Sequence, residues 1–383
     1  MRGGGPGVRD TGDVIGRPVR DLETPVLVVD LDRFERNVAR MRQVILVEAG
    51  IRWRPHTKAI RVPALVHTLV QAGATGVACA TLGEAEMLAA AGVRDIMIAN
   101  QVVGAPKIAR LVSLGRQADL VVAVDCAAHL KALDAAAQAA GARLRVVVEV
   151  DTGMGRAGVE PGEPVVELAR EAAACRALRF AGLMGWEGGR IAGIAQPDDK
   201  RRAIEAAVGR LTDSADRCRA AGVPVDIVSC GGTGTYQIAA KQRGVTEVQA
   251  GGGVFGDVYY RTHCGVAHEC ALTVVTTVIS RPTPTRIICD AGWKRMAQHP
   301  APPEPVGVGD VRSLALSAEH ARIELAAPRS SPTVGDPVEF VAGYADATVC
   351  LHDTLCGVRA SRVEAVWPVL GRGRPRDQAL AGT

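Results

Sequence analysis

Polar residues that can do chemistry follow several short apolar runs of the chain. RPHTK ends the run at 52–58, DTGMGR begins at Asp151, and GWEGG begins at Gly185. SCGGTGTY begins at Ser229 and QAGGG begins at Gln249. In a barrel of parallel strands such ends meet at one face, which is where the active site forms. These segments are therefore the predicted site.

Lys58 is the most informative of these residues. Where an apolar strand ends, partial loss of water lowers the pKa of an amine and makes it a nucleophile able to form a Schiff base. Glycine runs flanked by Ser and Thr leave N–H groups open to an anion, and the last loops of a barrel commonly bind phosphate. Each feature alone has an ordinary explanation, since surface lysines extend into water and tight turns need glycine. Together they predict a phosphorylated ligand beside a reactive lysine.

Short β-rich runs alternate with Ala-rich helical segments. After an opening run at 26–30 come runs at 52–58, 76–81, 95–100, 119–125, 144–151, 179–186, 227–231 and 247–251. Apolar residues recur at helical spacing between them, for example at 82–91, 127–140 and 200–221. Alternation of this kind predicts a parallel sheet, and eight units ending near residue 265 fit the roughly 250 residues of a (β/α)8 TIM-type barrel. The predicted class is α/β.

Beyond the barrel the pattern changes to Thr-, Val- and Ile-rich runs without long helices. These are ALTVVTTVIS, TRIICDAGW, PVEFVAGY, TLCGVR and VEAVWPVL. They predict a C-terminal antiparallel β domain, whose first strand comes from the surplus run at 26–30. The expected divisions are a flexible leader and N-terminal strand region at 1–24, the barrel at 25–265 and the β domain at 266–375, with a loosely held tail after Leu370.

Composition excludes several classes of protein. The 383 residues are 48% hydrophobic and 22% charged, as in a soluble globular protein, and no apolar run approaches the roughly 18 residues of a membrane span. The net charge of +4 is spread without a basic block, which argues against nucleic acid as a partner. Ten cysteines without a C-x-x-C pair predict reduced thiols, and the start MRGGGPGVRDTGD is unlike a signal peptide. A cytoplasmic protein is expected.

Seven segments in order along nearly the whole chain carry a family resemblance. They are TPVLVVDLDRFERNV, RPHTKA, DTGMGRAGV, GLMGWEG, GGTGTY, DAGWK and VEAVWPVLGRGR. Together they resemble the D-threonine aldolase and D-serine dehydratase family, which shares the alanine racemase-type barrel and C-terminal β domain. The resemblance implies pyridoxal 5'-phosphate (PLP) as cofactor and a homodimer with active sites near the subunit interface.

The resemblance also implies roles for individual residues. Lys58 would carry PLP as a Schiff base, Arg156 would face the pyridine nitrogen and keep it unprotonated, and Trp186 would be the aromatic beside the cofactor. The implied phosphate ligands are Ser229, Gly232, Thr233, Gly251 and Gly252. A guanidinium cannot hand over a proton, so an arginine at the ring nitrogen weakens PLP as an electron sink. Other groups must then assist the chemistry.

The sequence departs from the family pattern in two places. In the family a divalent metal, held by a His-x-Asp or His-x-Cys pair, polarises the substrate's β-hydroxyl, and a histidine after the seventh strand assists. Here GYADATV puts Tyr344 at the first ligand position and leaves Asp346, while GWEGGR puts Gly189 at the histidine. One carboxylate is a poor metal site, and Cys350 and His352 lie away from the ligand position. No divalent metal is expected.

Three functions remain open. The first is a PLP-dependent carbon–carbon lyase acting on a β-hydroxy-D-amino acid, or joining an amino acid to an aldehyde, with Tyr344 or His56 replacing the lost acid–base group. The second is a dehydratase or racemase in which Lys58 takes the Cα proton. The third is a non-catalytic PLP-binding protein, against which the large β domain with Asp290 and Lys294 in place argues. The first is favoured because the motifs, particularly VEAVWPVLGRGR, are closest to the aldolase branch.

Overall fold

The computed structural model describes residues 14–372. The strands of this part of the chain are β1 (Val26–Asp30), β2 (Arg52–Trp53), β3 (Val77–Cys79), β4 (Asp95–Gln101), β5 (Asp119–Val124), β6 (Leu144–Glu149), β7 (Leu178–Met184), β8 (Ile227–Cys230), β9 (Glu247–Val248), β10 (Leu272–Thr283), β11 (Arg286–Cys289), β12 (Glu304–Pro305), β13 (Val311–Leu316), β14 (Ala321–Leu325), β15 (Pro337–Val341), β16 (Thr354–Arg359) and β17 (Arg362–Pro368). The helices are α1 (Leu31–Arg42), α2 (Pro63–Gln71), α3 (Leu82–Ala90), α4 (Ala105–Leu114), α5 (Ala127–Ala139), α6 (Glu163–Ala174), α7 (Gly189–Ala192), α8 (Pro197–Ala220), α9 (Tyr236–Ala239), α10 (Val258–Thr262) and α11 (Ala345–Thr348). Much of the expected leader and most of the expected tail lie outside the described residues.

The chain divides into two compact units. Among the described residues, the barrel unit comprises Val38–Val254, Tyr260–Ala267 and 370–372. The β unit comprises 14–37, Phe255–Tyr259 and His268–Val369. Among the described residues, no helix is long and apolar enough to cross a membrane.

Eight parallel strands form the sheet of the barrel unit, in the order β2-β9-β8-β7-β6-β5-β4-β3. A parallel bridge between His56, which follows β2, and Ala78 of β3 links the two ends of this order. The Ala78 N–H donates to the Pro55 carbonyl over 3.0 Å at the same seam. Buried apolar side chains fill the inside of the sheet, namely Ala78, Met97, Val121, Ala123, Val147, Ala181, Met184 and Ile227. The predicted α/β barrel fold is confirmed.

The first barrel strand is shorter than the run at 52–58 predicted. Its ladder ends at Trp53, and Thr57–Ala59 forms a 3-10 turn instead. Pairing with the neighbouring strands continues as far as His56, whose N–H donates to the Gln249 carbonyl oxygen over 2.9 Å, and the chain leaves the sheet after it. The Lys58 N–H is held by His56 Nδ1 over 3.3 Å. Lys58 therefore lies in a turn beyond the strand and not at its last position.

A buried ion-pair network ties three barrel strands together. The Arg54 guanidinium, whose side chain is 2% exposed, donates to Glu247 Oε1 over 2.9 Å and to Asp95 Oδ1 over 2.7 Å. These residues come from the segment after β2, the start of β9 and the start of β4. Each buried charge has a partner, as a low-dielectric interior requires.

The sheet of the β unit includes the N-terminal strand, as predicted. β1 pairs antiparallel with β10 and parallel with β16, within the order β13-β14-β11-β10-β1-β16-β17. The unit is therefore mostly and not wholly antiparallel, because the long connection from β1 onward permits a parallel pair. Sequence patterns missed β12, β13 and β14. The charged and half-exposed residues of β13 and β14 give weak apolar runs.

Candidate active site

Two cationic side chains from different barrel loops lie against one indole ring. Lys58 Nζ is 5.7 Å from the centroid of the Trp186 ring, and Arg156 Cζ is 5.4 Å from it. Both distances lie within the range of cation–π attraction. The turn after β2, the loop after β6 and the segment after β7 thus bring three of the sequence-predicted residues together at one face of the barrel.

Arg156 also faces a buried carboxylate that the sequence patterns did not single out. Its Nη2 is 3.7 Å from Glu149 Oε1, and Gln101 Nε2 donates to Glu149 Oε2 over 2.5 Å. Burial raises the pKa of Glu149, with Gln101 and Arg156 opposing the rise. The available signal was a glutamate ending the otherwise apolar run LRVVVE.

His56 is half-buried beside Lys58. Removal from water holds the pKa of the imidazole well below its usual value, and the charges of Lys58, Arg61 and Arg156 act in the same direction. The ring is consequently neutral at neutral pH. Because Nδ1 accepts the Lys58 N–H, Nε2 carries the proton.

The predicted phosphate ligands come from two loops that approach closely. Among the described residues, the backbone N–H groups of Thr233, Gly251 and Gly252 donate to no protein acceptor, although all three residues are buried. A buried N–H group without an acceptor costs free energy, so we expect an anion to accept hydrogen bonds from these three groups. The two loops are joined by the Gly253 N–H, which donates to Thr233 Oγ1 over 2.9 Å.

The two loops form a cradle, in which the N–H groups of Thr233, Gly251 and Gly252 are unsatisfied. Glycine is required sterically at two positions of these loops. A Cβ atom on Gly251 would lie 2.1 Å from the His56 carbonyl oxygen, and one on Gly232 would lie 2.8 Å from Trp186 Nε1. Ser229 is fully buried in β8, and its hydroxyl accepts a hydrogen bond from Gln249 Nε2 over 3.0 Å. Its side chain is thus oriented by a second residue of the same loops.

A buried acid lies behind the glycine loop and was also missed from the sequence. Glu187 Oε1 accepts the Gly231 N–H over 3.1 Å, and Oε2 accepts the Thr235 hydroxyl over 3.2 Å. Burial raises the pKa of Glu187 to about 7. An acidic residue enclosed by glycines, as in GWEGG, was the signal that could have revealed it.

Comparisons with known proteins agree over both units. Two family models match, the alanine racemase N-terminal domain at residues 29–258 and the D-serine dehydratase domain at residues 271–358. The D-threonine aldolase of Arthrobacter sp. is 34% identical over 364 residues, which cover 94% of this chain and 96% of that protein. The chain belongs to the D-threonine aldolase and D-serine dehydratase family. The predicted resemblance is confirmed.

Two further matches extend this assignment. The 3-hydroxy-D-aspartate aldolase of Paracoccus denitrificans (strain Pd 1222) is 34% identical over 371 residues, with 94% of each chain covered. The crystal structure of the D-threonine aldolase from Filomicrobium marinum superposes with a TM-score of 0.90 at 32% identity, covering 94% of this chain and 98% of that one. This D-threonine aldolase and D-serine dehydratase family has the alanine racemase-type fold and consists of PLP-dependent enzymes.

The barrel residues of this family member fit PLP. Lys58 offers an amine for the aldehyde of the cofactor, Trp186 offers an aromatic face for its ring, and Arg156 offers a guanidinium beside that face. The unsatisfied N–H groups of Thr233 and Gly251 would be available as donors to a phosphate. The barrel unit thus presents groups of the types that would hold PLP.

The residues at the family's metal-ligand position lie in the β unit. Tyr344 donates from its phenol to Asp346 Oδ2 over 2.8 Å and packs edge-on against Tyr259 at 5.4 Å between ring centroids. His352 is buried, with Nε2 2.8 Å from the Arg295 carbonyl oxygen. A phenol and one carboxylate do not make the nitrogen, sulfur or multiple-carboxylate donor set that divalent metals prefer.

Three other residues singled out in the sequence analysis have local structural roles. Gly189, at the position of the family's histidine, begins the short helix α7. Asp290, expected from the sequence to mark a complete site, accepts hydrogen bonds from Thr24 and from the Thr277 N–H. Lys294, expected likewise, pairs with the exposed Glu319. Both thus have structural contacts within the β unit.

A different group of possible metal donors occurs at the start of α5. Oxygen, sulfur and nitrogen atoms of Asp125, Cys126 and His129 lie within 4.8 Å of one another. Asp125 is engaged by His129 Nδ1 at 3.1 Å and by the Gly158 N–H at 3.2 Å. A side-chain contact between residues four apart at the first turn of a helix is sufficient to account for this arrangement.

Proposed function

We propose that this protein is an aldolase-type lyase that makes or breaks the Cα–Cβ bond of a β-hydroxy-D-amino acid with PLP as cofactor. The observation that carries the proposal is the placement of Lys58 and Arg156 on one indole ring beside a cradle of unsatisfied N–H groups. Aldolase relatives that match 94% of the chain support the reaction class.

The chain's own residues bind and orient the reactants. PLP, when bound, withdraws electrons from the bonds at Cα of an attached amino acid. Lys58 supplies the amine that anchors the cofactor, and Thr233, Gly251 and Gly252 hold its phosphate. Arg156 gives no proton to the ring nitrogen, because a guanidinium cannot hand one over. Trp186 excludes water from one face.

Without a metal, a proton must move at the substrate's β-hydroxyl by another route. We propose that Tyr344 does this, because its phenol oxygen can take the β-hydroxyl proton while its own proton passes to Asp346 Oδ2, and the reverse transfer returns it. His56 is the second candidate, since its neutral imidazole presents Nε2–H as a donor and can accept a proton at Nδ1 once that atom releases the Lys58 N–H. The donor set of Tyr344 and Asp346 is the reason for proposing chemistry that is independent of a divalent metal.

We also propose a homodimer located in the cytoplasm. The family resemblance supports the dimer, as does an apolar groove of about 790 Å³ between α4 and α5, where Val103 is 56% exposed. The buried thiols of Cys79, Cys218, Cys230, Cys289 and Cys356 are free, which supports a reducing compartment. Sedimentation velocity tests the dimer directly, and a monomeric holoenzyme would reject it.

The first experiment is product analysis by mass spectrometry. The PLP-loaded, chelator-treated protein is incubated with D-threonine and D-serine, and in parallel with glycine or alanine plus aldehydes. Metal-free formation of glycine and an aldehyde, or of a new β-hydroxy amino acid, is the expected result. Ammonia with a keto acid would instead identify a dehydratase, and an inverted amino acid would identify a racemase.

Two lysine variants test the cofactor assignment. In Lys58→Ala, borohydride treatment should no longer fix the mass of PLP on the chain, and turnover should be lost. Lys131→Ala removes an exposed lysine of α5 and is the matched control, expected to behave like the wild type. PLP fixed in Lys58→Ala to the wild-type extent would reject the proposal.

A further inference from the structure

Glu187 is hydrogen-bonded to two residues of the glycine-rich loop that follows β8. Its carboxyl accepts hydrogen bonds from the Gly231 N–H and from the Thr235 hydroxyl. Thr235 Oγ1 in turn accepts the Gly232 N–H over 3.0 Å. One buried carboxyl thus fixes the backbone from which Thr233 presents its N–H to an anion.

This carboxyl lacks a counter-ion in the part of the chain that the structure describes. The residue is 2% exposed, and among residues 14–372 no Lys, Arg or His side chain lies within ion-pair distance of it. The titratable group that faces it from β8 is the Cys230 thiol, whose pKa is raised well above its usual value by burial and by the charges of Glu187 and Glu247. Burial therefore raises the pKa of Glu187 to about 7, and at pH 8 most of it is ionised.

Both protonation states of Glu187 can be accommodated by the loop. When the carboxyl is ionised, the Thr235 hydroxyl donates to Oε2. When it is protonated, its O–H can donate to Thr235 Oγ1, and the Thr235 hydroxyl can turn to the Gly232 carbonyl oxygen, 3.3 Å away. The loop keeps its shape in either state because a second acceptor is within reach.

We propose that Glu187 is a positioning residue that couples binding of the cofactor's phosphate to uptake of a proton. The inference rests on the proposed binding of PLP by this loop. A phosphate on the Thr233 N–H adds negative charge beside a buried carboxylate, and like charges favour the protonated form of the weaker acid. Binding thus draws a proton onto Glu187 from solution.

The coupling has a measurable consequence for PLP affinity. Above about pH 7 the cofactor-free protein carries an ionised Glu187, which must be protonated when PLP binds. The dissociation constant for PLP is then expected to increase by up to about tenfold per pH unit, the limit for uptake of one proton. Below pH 6 the effect of Glu187 disappears, because the proton is already present.

Titration calorimetry with PLP at pH 8, in buffers of different ionisation enthalpy, tests the proposal. The wild type is expected to take up nearly one more proton per PLP than Glu187→Gln. Glu205→Gln, which removes an exposed glutamate of α8, is the matched control and should behave like the wild type. Protonations of PLP itself are common to all three proteins and cancel in the difference. Equal uptake by the wild type and Glu187→Gln would overturn the proposal.

Infrared difference spectroscopy provides a second measurement that needs no altered chain. At pH 8, adding PLP to the wild-type protein should produce the C=O stretching band of a protonated carboxylic acid, and absence of this band would overturn the proposal. Failure of the wild type to bind PLP would reject the proposed function as well. Binding of PLP through Lys58 without the extra proton would reject only the role of Glu187.

Discussion

The Tyr344 phenol donates a hydrogen bond to Asp346 Oδ2 over 2.8 Å, two residues along the chain. This contact places a hydroxyl where the family has the first ligand of a metal pair. A carboxylate that accepts from a phenol orients its O–H and stabilises it in one rotamer. We therefore propose proton transfer, and not metal binding, as the role of this pair.

Tyr344→Phe should reduce kcat by about 10²- to 10⁴-fold, the usual contribution of a positioned acid or base. PLP affinity should be unchanged, because Phe retains the ring and its packing against Tyr259. His56→Ala tests the second candidate by the same assay. Steady-state kinetics in the presence of a chelator measure both, and normal turnover in both variants would exclude this account of the acid–base group.

Gly251→Ala should weaken PLP binding by more than about tenfold, since a Cβ would lie 2.1 Å from the His56 carbonyl oxygen and displace the backbone N–H cradle. Gly209→Ala in α8 is the control, because nothing lies within 4 Å of its Cβ. That control should gain up to about 1 kcal/mol of stability from helix propensity. Fluorescence titration with PLP and thermal unfolding check both variants. Wild-type affinity in Gly251→Ala would contradict the proposed cradle.

Arg54→Ala should destabilise the protein by about 3–5 kcal/mol, because the fully buried Glu247 loses its nearer and buried partner and keeps only Arg52 Nε, 3.6 Å away. The comparison is Arg179→Ala, whose pair with Asp226 is exposed on both sides and should contribute less than about 1 kcal/mol. Urea denaturation measures the free energy of unfolding of both variants. Similar losses of unfolding free energy in Arg54→Ala and Arg179→Ala would show that the network does not hold the barrel strands together.

The stability of the cofactor-free protein should depend on pH through Glu187. Its pKa rises from 4.5 to about 7 on folding, so the native state binds more protons than the unfolded state between these values. The free energy of unfolding therefore falls as pH increases from 4.5 to 7, by about 3 kcal/mol for this group alone. The difference between the wild type and Glu187→Gln, measured by urea denaturation at several pH values, should show this slope. If the difference in free energy of unfolding did not change with pH, the pH dependence could not be assigned to Glu187.

The sequence by itself determined the barrel, the β unit and the family. Helices such as α3, α5 and α8 and the strand β1 follow from local periodicity, which depends on neighbouring residues only. Lys58, Arg156 and the glycine runs stood out because a charge or several glycines interrupt apolar segments. The fold and enzyme class are confirmed, whereas the roles of individual site residues remain predictions.

Tertiary structure alone decided which of these residues meet. Lys58 and Arg156 are 98 positions apart in the numbering, and only closure of the barrel brings both to the Trp186 ring. Glu149 and Glu187 were missed for the same reason, since a carboxylate's burial and partners depend on side chains contributed by distant strands. Local sequence sets secondary structure, but burial, charge pairing and pKa are properties of the space around a residue.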